Sequence, residues 1–173
     1  MLLPIVALGG KKWEKMGRTT HAAMFRGANK LTLDAKGRLV MPTRYRERLQ
    51  DRCGGKLVIT VDKDQCLLIY PLPDWEEIER KLMRLPSMNP DARRLQRLMV
   101  GHATDLEIDA HGRVLLPPNL REFGMLTRDA MLVGQGLYFE LWDEARWNER
   151  RDEWLAGGVA LADLPAELQT LSL

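Results

Sequence analysis

The chain has 173 residues, enough for one domain or two small interlocked ones, with 45% apolar content to fill a core and 29% charge to keep a surface hydrated. Two cysteines without CxxC spacing, Cys53 and Cys66, argue against a disulfide framework, and the apolar run Met1–Leu8 lacks a basic flank and is too short to span a bilayer. The net charge of +2 hides an asymmetry: residues 24–56 carry nine Lys/Arg against three acids, while residues 140–173 carry three against eight, a distribution that suits either a polyanionic partner or a solvated charged face.

Along the chain, residues 1–23 show no pattern, and ordered structure is expected from Met24-Phe-Arg-Gly27. Leu31-Thr-Leu33 reads as a strand, Asp34-Ala-Lys-Gly37 as a turn, and Arg38–Met41 as the returning strand of a hairpin. Pro42 suits the first turn of a short basic helix through Thr43–Leu49, which Cys53-Gly-Gly55 breaks. Lys56–Val61 and Gln65–Tyr70 read as strands around a turn at Asp62-Lys-Asp64. Asp74 is placed to cap a helix starting at Trp75, with Ile78, Leu82 and Leu85 on one face, and a second helix runs through Ala92, Leu95, Leu98 and Met99.

The order then starts again. Leu31–Pro42 returns 75 residues later as Leu106–Pro117, with six of twelve positions identical and Arg46-Glu47 echoed by Arg121-Glu122. A hairpin over 104–116, a helix over 117–123, strands near 130–142 and a helix from Asp143 with Trp147 and Trp154 complete a second β-β-α-β-β unit. One such unit is too small to bury both faces of its sheet, whereas two interleaved units close a core and hide strand edges. Residues 157–173 are expected to be a loosely held tail.

The shared element is Asp-Ala-x-Gly-Arg. Asp34 with Arg38, and Asp109 with Arg113, can brace a tight turn by a local ion pair; equally, the turns can present arginines to DNA, because a two-stranded ribbon fits the major groove and Arg is the favoured partner of guanine O6/N7. The two readings are compatible, since the aspartate can orient the arginine that reads a base.

Met24-Phe-Arg-Gly27, Leu33–Arg38, Pro42–Arg46, Tyr70-Pro-Leu-Pro73, Trp75 and Gly101-His-Ala103 closely resemble the MraZ family of bacterial transcriptional regulators, related to SpoVT/AbrB proteins. The resemblance covers Met24 to the C-terminus. It implies an α+β fold in which two SpoVT/AbrB-like units form a swapped-hairpin, double-split β-α-β barrel with bridging helices. The corresponding division is an extension at 1–23, a first unit at 28–75, bridging helices at 76–103, a second unit at 104–147, and a C-terminal helix and tail at 148–173. It also implies a ring-shaped homo-oligomer, cytoplasmic and nucleoid-associated, with no membrane partner, that binds double-stranded DNA at its own promoter and represses the division and cell-wall gene cluster. Arg38 is then the expected base reader and Asp34 its orienting partner, with Lys36, Arg26, Lys30, Arg44 and Arg46 on phosphate. Asp109, His111 and Arg113 form the second copy of the site. His111 stands for Lys36, Pro118-Asn119 for Thr43-Arg44 and Phe123 for Arg48, so the first copy is expected to dominate phosphate contact.

The resemblance places the family start at Met24, making residues 1–23 an expected translation of upstream DNA. Gly9–Gly17 back-translates to a string in which Trp13-Glu14 and Met16-Gly17 supply TGGG boxes about ten bases apart, one turn of B-DNA. Such direct repeats match the operator the resemblance implies. Chance is the competing explanation, and the upstream DNA decides between them.

No cofactor, metal site or enzymatic activity is expected. His21, His102 and His111 have no partner at ligand spacing, and no set of residues supplies nucleophile, base and oxyanion donors together. Two rival readings remain: an AbrB-type antitoxin-like autorepressor, and a structural ring with non-specific nucleic-acid binding.

Overall fold

The computed structural model describes residues 24–157; the expectations for residues 1–23 and for the tail past 157 lie outside the described residues. In chain order the elements are β1 (Phe25–Thr32), β2 (Arg38–Val40), α1 (Thr43–Cys53), β3 (Lys56–Val61), β4 (Leu67–Pro71), α2 (Leu72–Met83), α3 (Pro90–Met99), β5 (Thr104–Glu107), β6 (Arg113–Leu115), α4 (Pro118–Phe123), β7 (Asp129–Gly136), β8 (Phe139–Asp143) and α5 (Glu144–Gly157). The described residues form a mixed α/β fold: a six-stranded antiparallel sheet in the order β1-β7-β8-β4-β3-β5, a two-stranded ribbon β2-β6, and five helices.

The strands expected to pair as local hairpins do not pair with each other. β1 pairs with β7, with Leu31 opposite Ala130, and β5 pairs with β3, with Leu106 opposite Leu57. β2 pairs with β6 around Leu39 opposite Val114. Each unit therefore lends its first strand to the third strand of the other. The physical reason is burial: a three-residue strand hides a single side chain, and crossing the units brings Leu39 and Val114, both fully buried, into one shared core. The local β3–β4 and β7–β8 hairpins are retained, and β4 meets β8 with Leu68 opposite Glu140. Leu39/Val114 and Leu68/Glu140 are corresponding positions of the two units, so both registers are centred on one pseudo-two-fold axis.

β3 and β4 read as near-continuous apolar runs because both sheet faces are covered. Leu57, Ile59, Val61, Leu67 and Ile69 join the core shared with Leu39, Tyr45 and Leu116, while Val58, Leu68 and Tyr70 point to a second cluster under Trp75, Leu82 and Trp142. Thr60 is buried among them and donates its hydroxyl to the carbonyl of Met99 at 2.5 Å, which ties α3 to the sheet. Trp142, Trp147 and Trp154 pack edge to face, with centroids 5.8–6.0 Å apart, fastening α5 to β8.

Several boundaries differ from expectation, three of them for a visible physical reason. β1 starts at Phe25, six residues before Leu31, because the whole segment has a partner in β7. β4 starts at Leu67, since Gln65 takes φ 60° in the preceding turn. Asp74 does not cap α2, which starts at Leu72 behind Pro71. Its carboxylate instead accepts from Arg52 Nε at 2.7 Å and from Arg52 Nη2, a pair that raises the Arg52 pKa and joins α1 to α2.

Candidate nucleic-acid interface

Two turns with the same hydrogen-bond scheme flank the β2–β6 ribbon. In the first, Gly37 N–H donates to the Asp34 carbonyl at 2.9 Å and Asp34 N–H to the Arg38 carbonyl at 2.9 Å. Asp34 Oδ1 accepts the N–H groups of Lys36 and Arg38, each at 2.9 Å, and Oδ2 accepts Arg38 Nε at 2.7 Å. In the second, Asp109 accepts the N–H groups of His111 and Arg113 at 2.9 Å and Arg113 Nε at 2.8 Å.

These donors stabilise the ionised carboxylates. The N–H of Arg38, its guanidinium and the N–H of Lys36 hold the Asp34 carboxyl below its ordinary range, against the opposing effect of desolvation. The equivalent donors, led by the Arg113 N–H, bring Asp109 to about 2. Each aspartate grips only the Nε edge of its arginine. Among the described residues, nothing accepts from the terminal Nη1 and Nη2 of Arg38 or Arg113, so a paired donor edge stays available for a bidentate acceptor.

The turns are locked across the axis. Gly37 (φ 78°) lies so close to Arg121 that a Cβ there would stand 2.5 Å from the guanidinium carbon; Gly112 (φ 74°) lies in the same way against Arg46. Met41 N–H donates to the Gly112 carbonyl at 2.8 Å and Leu116 N–H to that of Gly37 at 3.1 Å. Each unit thus braces the other unit's turn with a helix arginine. Arg46, expected on phosphate, rests on Gly112 and donates Nε to the Met41 carbonyl at 2.7 Å.

The ribbon brings Asp34, Lys36 and Arg38 together with Asp109, His111 and Arg113, with Arg38 opposite Leu115 and Val40 opposite Arg113. Lys36 and His111 are exposed at the turns. Arg26, Lys30 and Arg44 lie elsewhere. Arg26 and Lys30 sit on β1 at the edge of the large sheet, opposite Gln135 and Met131, and Lys30 pairs with Glu144 at 2.9 Å, which raises its pKa. Arg44 stacks over Tyr45 and donates to its hydroxyl at 2.6 Å; that hydroxyl donates to the Arg26 carbonyl at 2.5 Å.

Two arginines near the turns carried no functional expectation. Arg121 was legible only as an echo of Arg46, and Arg128 lies outside the echoed segments. Arg128 accepts the Leu33 N–H on its carbonyl at 2.8 Å and lines a groove of about 590 Å³ with Asp34 and Ala35. Among the described residues, no three His, Cys, Asp or Glu side chains gather to hold a metal, and burial raises the pKa of the free thiols Cys53 and Cys66. No described helix is long and apolar enough to cross a membrane.

Comparison with known proteins matches this duplicated architecture. The family described as "MraZ protein, putative antitoxin-like" matches twice, over residues 24–98 and 99–156. Proteins named transcriptional regulator MraZ from Halorhodospira halophila and Pseudomonas aeruginosa are each 55% identical, across 87% of this chain and all of their own length. That from Thioalkalivibrio sulfidiphilus is 56% identical, with the same coverage. Both halves of the described chain, with the twin turns between them, thus fall within one family, and the chain belongs to the MraZ family.

Proposed function

We propose that this chain is a sequence-specific DNA-binding transcriptional regulator that reads DNA with the Asp34–Arg38 and Asp109–Arg113 turns. The observation that carries the reading is the pair of arginines held by Nε, with both terminal nitrogens unused among the described residues, two-fold related on a two-stranded ribbon, a form the major groove admits. The name of the relatives supports it: each is called a transcriptional regulator. Arg38 reads guanine, Asp34 orients it and Lys36 meets phosphate; Arg113, Asp109 and His111 do the same more weakly. Arg26 and Arg44 add phosphate contacts from β1 and α1. Lys30 and Arg46 do so only by giving up the partners they now hold.

In its finer form, the two units make a double-split β-α-β barrel, and barrels join in a homo-oligomeric ring at the nucleoid. The ring engages TGGG-type direct repeats one helical turn apart in its own promoter and represses the division and cell-wall gene cluster. Each box adds a modest contribution, and tethering several turns raises the effective concentration for the next box.

The test is binding of the full chain, at fixed salt, to duplexes with three TGGG boxes spaced about ten or about fifteen bases apart, and to a scrambled control. Selective binding to the one-turn spacing is expected. Equal binding to all three duplexes would leave only sequence-independent attraction to phosphate and overturn the reading.

A further inference from the structure

The solvent face of the ribbon is not purely cationic. Alternation along β2 and β6 sends Leu39 and Val114 into the core, so Arg38, Val40, Arg113 and Leu115 share the opposite face. Val40 is 46% exposed and Leu115 57% exposed, although both are large apolar residues on a short, well-formed ribbon. They occupy equivalent positions in the two units, so the feature is present twice. The register makes a checkerboard: Leu115 stands directly across from Arg38, and Val40 directly across from Arg113. Directly opposed side chains on such a ribbon have Cβ atoms roughly 5 Å apart, so each arginine has an apolar neighbour within one base step.

The chemistry that fits an apolar group beside a bidentate donor is specific. In the major groove guanine offers its O6 and N7 acceptors, and thymine offers a C5-methyl group. A thymine followed by guanine sets a methyl beside a pair of acceptors, the complement of a side chain such as Leu115 beside Arg38. Isolated exposed apolar residues need no explanation. Two, symmetry-related and each facing an arginine whose terminal donors are unused among the described residues, form a matched surface.

We propose that Val40 and Leu115 are specificity-determining residues that pack on the thymine methyl of each TGGG box while Arg38 and Arg113 bind the adjoining guanine. The inference rests on the DNA-reading role of the twin turns and adds to it a contact that distinguishes thymine from every base lacking the methyl.

The test removes that methyl alone. Binding of the full chain is measured at fixed salt on three-box duplexes carrying thymine or deoxyuridine in each box, with scrambled duplexes of matched composition. Val40→Ala/Leu115→Ala is run alongside the unaltered protein, and both substitutions fall on exposed side chains. The unaltered chain is expected to prefer thymine by about fourfold per engaged box, the factor for burying one methyl group. The double variant is expected to bind both duplexes alike and still prefer boxes to scrambled DNA. Equal affinity of the unaltered chain for the two box duplexes, with box selectivity intact, would overturn this inference alone. Loss of selectivity for boxes over scrambled DNA in the unaltered chain would overturn it together with the DNA reading. A variant that keeps the thymine preference but changes its state of association by light scattering would assign the patch to a contact between copies, and the proposal would fail.

Discussion

The first and second turns share one hydrogen-bond scheme but have different surroundings. Both tie an aspartate to two backbone N–H groups and an arginine Nε at 2.7–2.9 Å, and both set a glycine against the other unit's arginine. The first turn carries Lys36 where the second carries His111, and the helix that follows each turn in sequence differs too: Arg44 and Arg48 in α1 stand where α4 has Asn119 and Phe123, the last packed near His102 with centroids 6.0 Å apart. Duplication has kept what positions an arginine and let drift what adds charge. Turn geometry depends on a few obligatory contacts, whereas phosphate attraction is a sum over many residues.

The comparison can be broken at its centre. Leu39 and Val114 face each other on the axis, both with no exposure, so Leu39→Ala is expected to cost about 2–5 kcal/mol in urea unfolding, with a smaller loss for Val114→Ala. A loss near zero would mean that the shared core does not hold the units together. Next come the glycines: Gly37→Ala and Gly112→Ala each force a side chain into positive φ against a guanidinium, at about 1–3 kcal/mol apiece. Matching losses would show that the two braces are equivalent, and one neutral substitution would show that they are not.

Titration sharpens the same point. Asp34 and Asp109 have folded pKa values below their unfolded ones, so their contribution is complete above the ordinary carboxylate pKa and is lost as pH falls through the folded value, about 2 for Asp109. Carboxyl NMR should find both midpoints below the usual 3.8, with Asp109 at about 2; midpoints at 3.8 would remove the bracing. The smallest effect concerns charge. His111→Lys gives the second turn the first turn's cation and is expected to steepen the salt dependence of DNA binding by about 0.9 in log–log slope for each new phosphate contact. An unchanged slope would place residue 111 away from the backbone.

The local parts of this site were legible in the sequence and the long-range parts were not. Asp34, Gly37 and Arg38 lie within five residues of one another, and their repetition at Asp109, Gly112 and Arg113 marked the turns directly. Strand partners carry no such signal: Leu31 and Arg38 flank a turn and look like a hairpin, yet their partners Ala130 and Leu115 come from the other unit. The partners that individual charges hold were also hidden from the sequence. Lys30 is held by Glu144, Arg46 by the Met41 carbonyl and Asp74 by Arg52; apart from Arg46, these pairs join residues too far apart in sequence for local patterns to reveal.

The most direct test of the twin-turn reading sets Arg38→Ala beside Arg113→Ala and measures, at one salt concentration, the ratio of affinities for three-box and scrambled duplexes. If the first turn dominates readout, Arg38→Ala brings the ratio close to one, and Arg113→Ala lowers it by less. A ratio that Arg38→Ala leaves intact would show that base readout lies elsewhere on the molecule.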